Sequence, residues 1–273
     1  KLVKAKSDIR TVHYVAPSVW AWRAGRARKM ARVVDQVLAL LPFEPPYMEA
    51  AGVACDFVGH PVVERFGQYL IDKPQEVAIP PKLALVPGSR HSELSRMLPT
   101  MALAVEELAE AHTGLKLIVP MADHFKEADF AVLKKLPVDV SFVRGQARFA
   151  ALQSADAAIA TSGTVNLELA MLDVPMVVAY RMGKVTHFLA KRLVKLKHFS
   201  PVNLAAQKRI VPELLQDEVT PTSLRHQVGP LLTNTPERLT MLKNLADVRA
   251  KLGADGERPS MRAADAVLEI LNR

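Results

Sequence analysis

The stretch from Leu83 to Met97 contains residues whose types and spacing suit phosphate binding. The apolar run Leu83–Val86 has the length of a buried strand, and a helix-period pattern follows the break at Pro87-Gly88. Such a turn presents backbone N–H groups at the positive end of a helix dipole, which attracts anions. Ser89 can cap the helix, Gly88 permits close approach, and Arg90 adds a forked cation. The alternative is an ordinary β–α turn with a surface arginine.

A second loop repeats this design further along the chain. Thr161-Ser162-Gly163-Thr164 follows another short apolar run and opens a helical pattern. Its hydroxyl groups can donate to phosphate oxygens beside the N–H groups of the helix start. Glu168 lies one turn after Thr164 on the same helix face, where a carboxylate can accept both hydroxyls of a ribose. Ser-Gly-Thr alone is common, but two such loops in one predicted sheet strengthen the prediction of a phosphate site.

Two weaker candidates accompany these loops. Arg144-Gly145-Gln146 follows an apolar run, and we expect it to lie between the two phosphate loops, where its backbone could meet a base. Asn203 lies in Ser200-Pro201-Val202-Asn203-Leu204, which interrupts a helical region. A turn asparagine beside a cleft can bind substrate, although asparagine in turns usually serves the backbone.

The charge balance points to anionic partners. The 273 residues include 36 Lys and Arg against 28 Asp and Glu, a net charge of +8. Nucleotides, phosphorylated substrates, phospholipid surfaces and nucleic acids all fit this balance. Nucleic acid is disfavoured because aromatic residues are only 5% and no zinc-finger or RNA-binding motif occurs in the sequence.

Several classes of protein are excluded by motifs that the sequence lacks. Cys55 is the single cysteine, so the chain has no internal disulfide, and a reducing compartment is its natural location. No apolar run has the roughly 18–20 residues of a membrane span. The sequence contains no P-loop, no Gly-x-Gly-x-x-Gly and no His-Glu-x-x-His. We therefore expect no metal and no cofactor.

The elements that position these residues alternate regularly. Strands are predicted at 83–87, 115–119, 139–143, 157–160 and 175–180, and helices at 92–112, 124–135, 147–153 and 164–172. This alternation predicts an α/β fold, with a parallel sheet covered by helices on both faces and ligands at the carboxyl ends of the strands. Further helices are predicted at 221–232, 236–252 and 260–272, and Pro212–Gln216 is predicted to start a helix.

These motifs, taken together, resemble one enzyme family. They are Tyr14-Val-Ala-Pro-Ser-Val-Trp-Ala-Trp-Arg23, Leu41-Pro-Phe-Glu44, Phe57-Val-Gly-His-Pro61, Leu85-Val-Pro-Gly-Ser-Arg90 with Glu93, Ala160-Thr-Ser-Gly-Thr164 with Glu168, Pro175-Met-Val-Val-Ala-Tyr-Arg-Met182, and Leu189-Ala-Lys-Arg-Leu-Val-Lys195 with Asn203. In this order they are similar to the lipid-A-disaccharide synthases, inverting glycosyltransferases of the GT-B type. The resemblance covers nearly the whole chain.

The resemblance implies two Rossmann-like domains facing a cleft. Residues 1–60 would be the C-terminal part of the acceptor-side domain, 61–81 the interdomain connection, 82–253 the UDP-sugar-binding domain and 254–273 a C-terminal helix. The family has about the first hundred residues of its N-terminal domain ahead of the matching region, including the proposed catalytic base. We therefore expect this chain alone to be inactive and still to bind UDP.

The reaction implied by the resemblance joins two acylated sugars. The family transfers 2,3-diacylglucosamine from its UDP derivative to 2,3-diacylglucosamine 1-phosphate, giving the β-1,6 lipid A disaccharide and UDP. The implied partners are these two substrates, an anionic membrane surface and a second copy of the chain in a homodimer. The implied location is the cytoplasmic side of a Gram-negative inner membrane, as a peripheral protein.

The same resemblance assigns roles to particular residues. Arg90 would stabilise the leaving group, and Glu168 would bind the ribose. The UDP-sugar-binding set is Gly88, Ser89, Arg90, Glu93, Gln146, Ser162, Gly163, Thr164, Glu168 and Asn203. The basic segment 184–198 would face the membrane or the acceptor phosphate through Lys184, Lys191, Arg192 and Lys195.

Two other functions fit the same residues. Another UDP-sugar transferase or a UDP-sugar epimerase on this fold would share both phosphate loops. A non-catalytic nucleotide- or membrane-binding module would use the basic charge alone, and binding to anionic vesicles without UDP would distinguish it.

Overall fold

The chain forms two compact units. The structure is a computed structural model that describes residues 6–19, 25–69, 76–183, 186–187, 192 and 197–272. One unit comprises residues 1–67, 187–197 and 249–273, and the other comprises 68–186 and 198–248. The predicted domain ranges divide the chain differently, because 187–197 and 249–253 belong here to the first unit. The roles predicted for those ranges stay predictions.

A six-stranded parallel sheet forms the centre of the second unit. Its strands are β4 (Lys82–Val86), β5 (Lys116–Pro120), β6 (Asp139–Val143), β7 (Ala157–Thr161), β8 (Met176–Tyr180) and β9 (Glu213–Leu215). Their order across the sheet is β6-β5-β4-β7-β8-β9, and every pairing is parallel. This is the Rossmann order, in which the chain reverses its direction of winding between the two central strands.

Helices of the second unit lie between its strands along the chain or, for the last two, follow β9. They are α4 (His91–Ala111), α5 (Ala147–Gln153), α6 (Val165–Met171), α7 (Pro201–Ala206), α8 (Pro221–Val228) and α9 (Pro236–Lys251). Helix α4 is long because apolar residues recur at helical spacing along one face, and that face is buried. The central strands β4 and β7 are buried between layers of helices. Their sequences are therefore runs of mostly apolar residues instead of an alternation of apolar and polar ones.

A polar network holds the amino-terminal end of the sheet. The carboxylate of Asp156 accepts the backbone N–H groups of Ala78 (3.1 Å) and Lys82 (2.8 Å). The buried guanidinium of Arg238, on α9, donates to the backbone oxygens of Asp156 and Leu231. Burial lowers the pKa of Arg238, and the nearby Asp156 charge opposes that shift. The network therefore links the residues at the start of β4 to the residue that precedes β7.

The first unit contains a smaller sheet. Strands β1 (Val12–Tyr14), β2 (Gln36–Ala39) and β3 (Ala54–Phe57) are parallel, in that order. Its helices are α1 (Gly25–Met30), α2 (Glu44–Glu49), α3 (Val62–Phe66) and α10 (Pro259–Leu271). Burial and nearby carboxylates raise the pKa of the Cys55 thiol to about 12. No helix in the described part of the chain is long and apolar enough to cross a membrane.

The structure confirms the predicted fold class and places all five predicted strands within about one residue of their expected bounds. Three predictions of secondary structure were wrong. Residues 124–135 form two short 3-10 turns, at Glu127–Phe130 and Leu133–Lys135, in place of a helix. The predicted helix start at 212–216 is strand β9, paired with β8. The predicted turn around Asn203 is helix α7, where the Ser200 side chain caps the first turn and Pro201 follows.

His60 makes the stability of the first unit depend on pH. Its Nδ1 atom accepts the Val62 N–H (3.1 Å), and burial lowers its pKa from 6.5 to about 4. Between these values the unfolded chain binds a proton that the folded chain does not, so stability falls as pH drops from 6.5 towards 4. In urea titrations, His60→Asn, which keeps an acceptor but does not titrate, should show a weaker loss over this range. Parallel pH profiles for the two proteins would contradict the assignment.

Candidate functional site

The two predicted phosphate loops border one cleft. Strands β4 and β7 are direct neighbours, with Val86 paired to Ala160, so the loops that follow them emerge side by side. The cleft has a volume of about 320 Å³. It is lined by Val86, Gly88, Ser89, Arg90, Glu93, Pro120, Met121, Ala122, Arg148, Leu152, Thr161, Ser162, Gly163, Thr164, Val165 and Glu168. Eight of the ten predicted UDP-sugar-binding residues therefore lie together.

Glu93 holds the first loop in shape. Its carboxylate is buried and accepts the Ser89 backbone N–H through Oε2 (3.1 Å) and the Arg90 guanidinium through Oε1 (2.7 Å). Gly88 has φ of +120°, and a Cβ atom there would lie 2.6 Å from Cβ of Glu93. The predicted Ser89 cap was wrong, because Arg90 occupies the N-cap position without a capping side chain. Glu93 thus lines the cleft, but its hydrogen bonds stabilise the loop that follows β4.

Arg90 is the exposed cation of this loop. Its side chain is 74% exposed, although Nη1 contacts Glu93. It stands at the start of α4, a 21-residue helix whose dipole adds partial positive charge at the same end. The Glu93 contact limits the directions in which the guanidinium can point, so the cation is held beside the cleft.

The second loop is closed by a residue that the sequence analysis missed. Asn166 is fully buried, its Nδ2 donates to the Thr161 carbonyl (3.0 Å), and its Oδ1 accepts the Gly163 N–H (3.2 Å). An asparagine three residues after a loop glycine is a recognisable signal for such local bonding. The Gly163 N–H, expected to be available to phosphate, is therefore already bonded in this structure.

Two of the predicted hydroxyl donors are also engaged. The Ser162 hydroxyl donates to the carbonyl of Phe199 (2.9 Å), and the Thr161 hydroxyl donates to the carbonyl of Val86 (3.3 Å). Each hydroxyl carries one proton, so neither can donate to phosphate while these bonds persist. Thr164 is exposed at the cleft and is the hydroxyl best placed to meet an anion.

Glu168 is paired inside the cleft with Arg148, which the sequence analysis did not select. Glu168 is buried, and its Oε1 lies 3.4 Å from Nη2 of Arg148. Arg148 lies in α5, after β6, so only the three-dimensional fold brings it to the loop after β7. An arginine in the first turn of a helix carries no sequence signal for this partnership.

Gln146 and Asn203 do not join the site. Strand β6 lies at the outer edge of the sheet, so the predicted position of the Gln146 loop between the two phosphate loops was wrong. Gln146 is exposed and is not among the described residues that line the cleft. Asn203 is fully buried, and its amide binds backbone groups of Ile210 and Val211. Its predicted role in the cleft is therefore replaced by a structural one.

The basic segment 184–198 is described only in part. Lys184, Lys191 and Lys195 lie outside the described residues, and Arg192 is exposed. Among the described residues, no group of three or more His, Cys, Asp and Glu side chains could hold a metal ion.

Solved structures that share this fold include glycosyltransferases and a UDP-N-acetylglucosamine 2-epimerase. MurG of Acinetobacter baumannii matches 96% of this chain and 67% of its own, with a TM-score of 0.57 and 16% identity. The glycosyltransferase of kitacinnamycin matches 86% and 55%, with a TM-score of 0.54 and 22% identity. MnaA of S. aureus, determined with UDP, matches 89% and 61%, with a TM-score of 0.59 and 15% identity. The fold is thus the GT-B fold of glycosyltransferases.

Sequence comparison identifies the family within this class. The lipid-A-disaccharide synthetase family model matches residues 1–267. The lipid-A-disaccharide synthase of Ruegeria pomeroyi is 42% identical over 99% of this chain, and that of Geobacter metallireducens is 35% identical over 99%. The chain belongs to the lipid-A-disaccharide synthase family. It spans 70% and 71% of the length of these two relatives.

Substitution of Gly88 tests the tight packing of the first loop. Gly88→Ala should lower the free energy of unfolding by at least about 2 kcal/mol, because alanine disfavours this φ and its Cβ meets Glu93. Gly145→Ala is the matched control: φ is +54° and a Cβ there meets no atom within 4 Å, so about 1 kcal/mol is expected. Chemical denaturation measures both. Equal losses would show that the contact with Glu93 does not matter.

Proposed function

We propose that the cleft binds the UDP part of a sugar-nucleotide donor in the reaction of a lipid-A-disaccharide synthase. The donor would be UDP-2,3-diacylglucosamine, and the acceptor 2,3-diacylglucosamine 1-phosphate. The observation that carries this proposal is the juxtaposition, in one cleft, of two β–α loops, an exposed arginine and a buried carboxylate. Ligands of Rossmann-type sheets bind at this switch point, and family membership supplies the substrate class.

The diphosphate is assigned to the two loops. Arg90 supplies a full positive charge, and the start of α4 supplies the partial positive charge of the helix dipole. Thr164 supplies an exposed hydroxyl on the opposite loop. The Gly163 N–H bonds to Asn166 here, so a phosphate oxygen would have to replace the amide oxygen to reach it. The ribose is assigned to Glu168, whose carboxylate can accept both hydroxyls.

This arrangement suits a direct displacement at the anomeric carbon. The bond between the sugar and the diphosphate breaks as the acceptor oxygen attacks, and negative charge grows on the departing UDP. Preorganised donors at that place lower the barrier because they need not reorient during the reaction. Glu93 is bonded to Arg90, and Glu168 is assigned to the ribose, so neither is assigned as the base that takes the acceptor proton.

The basic segment and the domain roles are further parts of the proposal. We infer that segment 184–198, which includes the exposed Arg192, contacts an anionic membrane surface or the acceptor phosphate. This fits a peripheral protein of the inner membrane that acts on lipid substrates. Residues 82–253 are proposed as the UDP-sugar-binding domain, and a homodimer stays a prediction.

Calorimetric titration with UDP tests the proposed site. The chain should bind UDP, and Arg90→Ala should raise the dissociation constant about tenfold or more, because a charge-assisted bond to phosphate is lost. Arg225→Ala is the matched control, since Arg225 forms an Arg–Glu pair with Glu107 on the surface outside the cleft. It should leave the affinity unchanged. Folded protein that gives no heat with UDP would refute the proposal.

A further inference from the structure

Arg148 is only partly satisfied by the contacts around it. Its Nη2 atom lies 3.4 Å from Glu168, longer than the 2.7–2.9 Å typical of charge-assisted bonds. Its Nε atom is buried and has no hydrogen-bond partner among the described residues. Buried N–H donors are normally bonded, so the protein contacts leave this guanidinium under-bonded. The rest of the side chain is partly exposed at the cleft, where a ligand acceptor can meet its other N–H donors.

Phe149 packs against Arg148, and part of the Arg148 side chain stays exposed at the cleft. Its Cζ atom lies 4.6 Å from the ring centroid of Phe149, and the side chain is 31% exposed. A guanidinium held over an aromatic face loses less freedom when it forms a new bond. Arg148 is therefore preorganised to meet a planar acceptor.

The order of groups in the cleft indicates which part of a nucleotide Arg148 would meet. In a nucleotide the base is joined to C1′ of the ribose, on the side away from the 5′-diphosphate. With the diphosphate at Arg90 and Thr164 and the ribose at Glu168, the base would therefore lie on the far side of the Glu168 carboxylate. Arg148 contacts Glu168 directly, and the cleft residues Met121 and Leu152 are buried and apolar. Apolar walls with one forked donor are the composition expected for binding a flat base.

We propose that Arg148 selects uracil by donating to the carbonyl oxygen at its C4 position, an inference that rests on the proposed function. In this structure Arg148 contacts Glu168, and the ribose hydroxyls would replace that contact when the nucleotide binds. Guanidinium has donors and no acceptor, so it pairs with the uracil oxygen and opposes the amino group that cytosine carries at the same position. Arg148 is thus a specificity-determining residue.

Titration with UDP and CDP tests this assignment. The unaltered chain should bind UDP about tenfold or more tightly than CDP, because the mismatched donors leave the guanidinium unpaired. Arg148→Ala should weaken UDP binding about tenfold and leave CDP nearly unchanged, so that the preference disappears. Arg148→Met, which keeps the length of the side chain and its packing on Phe149, should give the same loss and guards against misfolding of the alanine variant.

The outcomes separate this inference from the proposed function. Arg225→Ala, as before, should keep both the affinity and the preference. Equal affinity of the unaltered chain for UDP and CDP, or equal weakening of both ligands in the folded Arg148 variants, overturns the role of Arg148 while UDP binding stands. Failure of the folded, unaltered chain to bind UDP overturns the proposed function itself.

Discussion

The pairing of β4 with β7 is the constraint on which the site depends. These strands are neighbours in the sheet although β5 and β6 lie between them in the chain. Because the two crossovers wind away from the central pair in opposite directions, a crevice is left at the carboxyl ends of β4 and β7. The cleft forms there, and the loop that follows each strand contributes one wall. The chemistry available to the protein is therefore decided first by strand order.

Internal bonds then restrict which cleft atoms remain for a ligand. Glu93 binds the first loop and restrains Arg90, while Asn166 bonds across the second loop. Such bonds keep the loops in shape without a ligand, which reduces the ordering that binding would require. They also occupy several donors, so Arg90 and Thr164 carry more of the proposed phosphate contact than the backbone around Gly163. The internal bonds that make the cleft rigid thus also reduce the number of hydrogen-bond donors that a ligand can use.

The sequence allowed the sheet and most of the cleft to be predicted because local patterns determine them. Short apolar runs separated by helical periodicity placed the strands, and the Gly88 and Gly163 loops lay where strand ends predict ligand sites. The Arg148–Glu168 contact, and the edge position of β6 that removed Gln146 from the site, depend on strand order, which no local pattern reveals. Asn203 was misassigned because Ser200-Pro201 indicates a helix start as readily as a turn.

The Asp156–Arg238 network has a consequence for how such a protein can evolve. It anchors β4 and β7 at the end of the sheet opposite to the cleft, through the Asp156 and Arg238 side chains and the backbone groups that they bond. Substitutions in the loops at the cleft therefore leave this anchor intact. A lineage could acquire a different donor sugar or base preference there while retaining the same scaffold. The network at the amino-terminal end of the sheet thus allows the protein to tolerate changes in the loops at the carboxyl-terminal end.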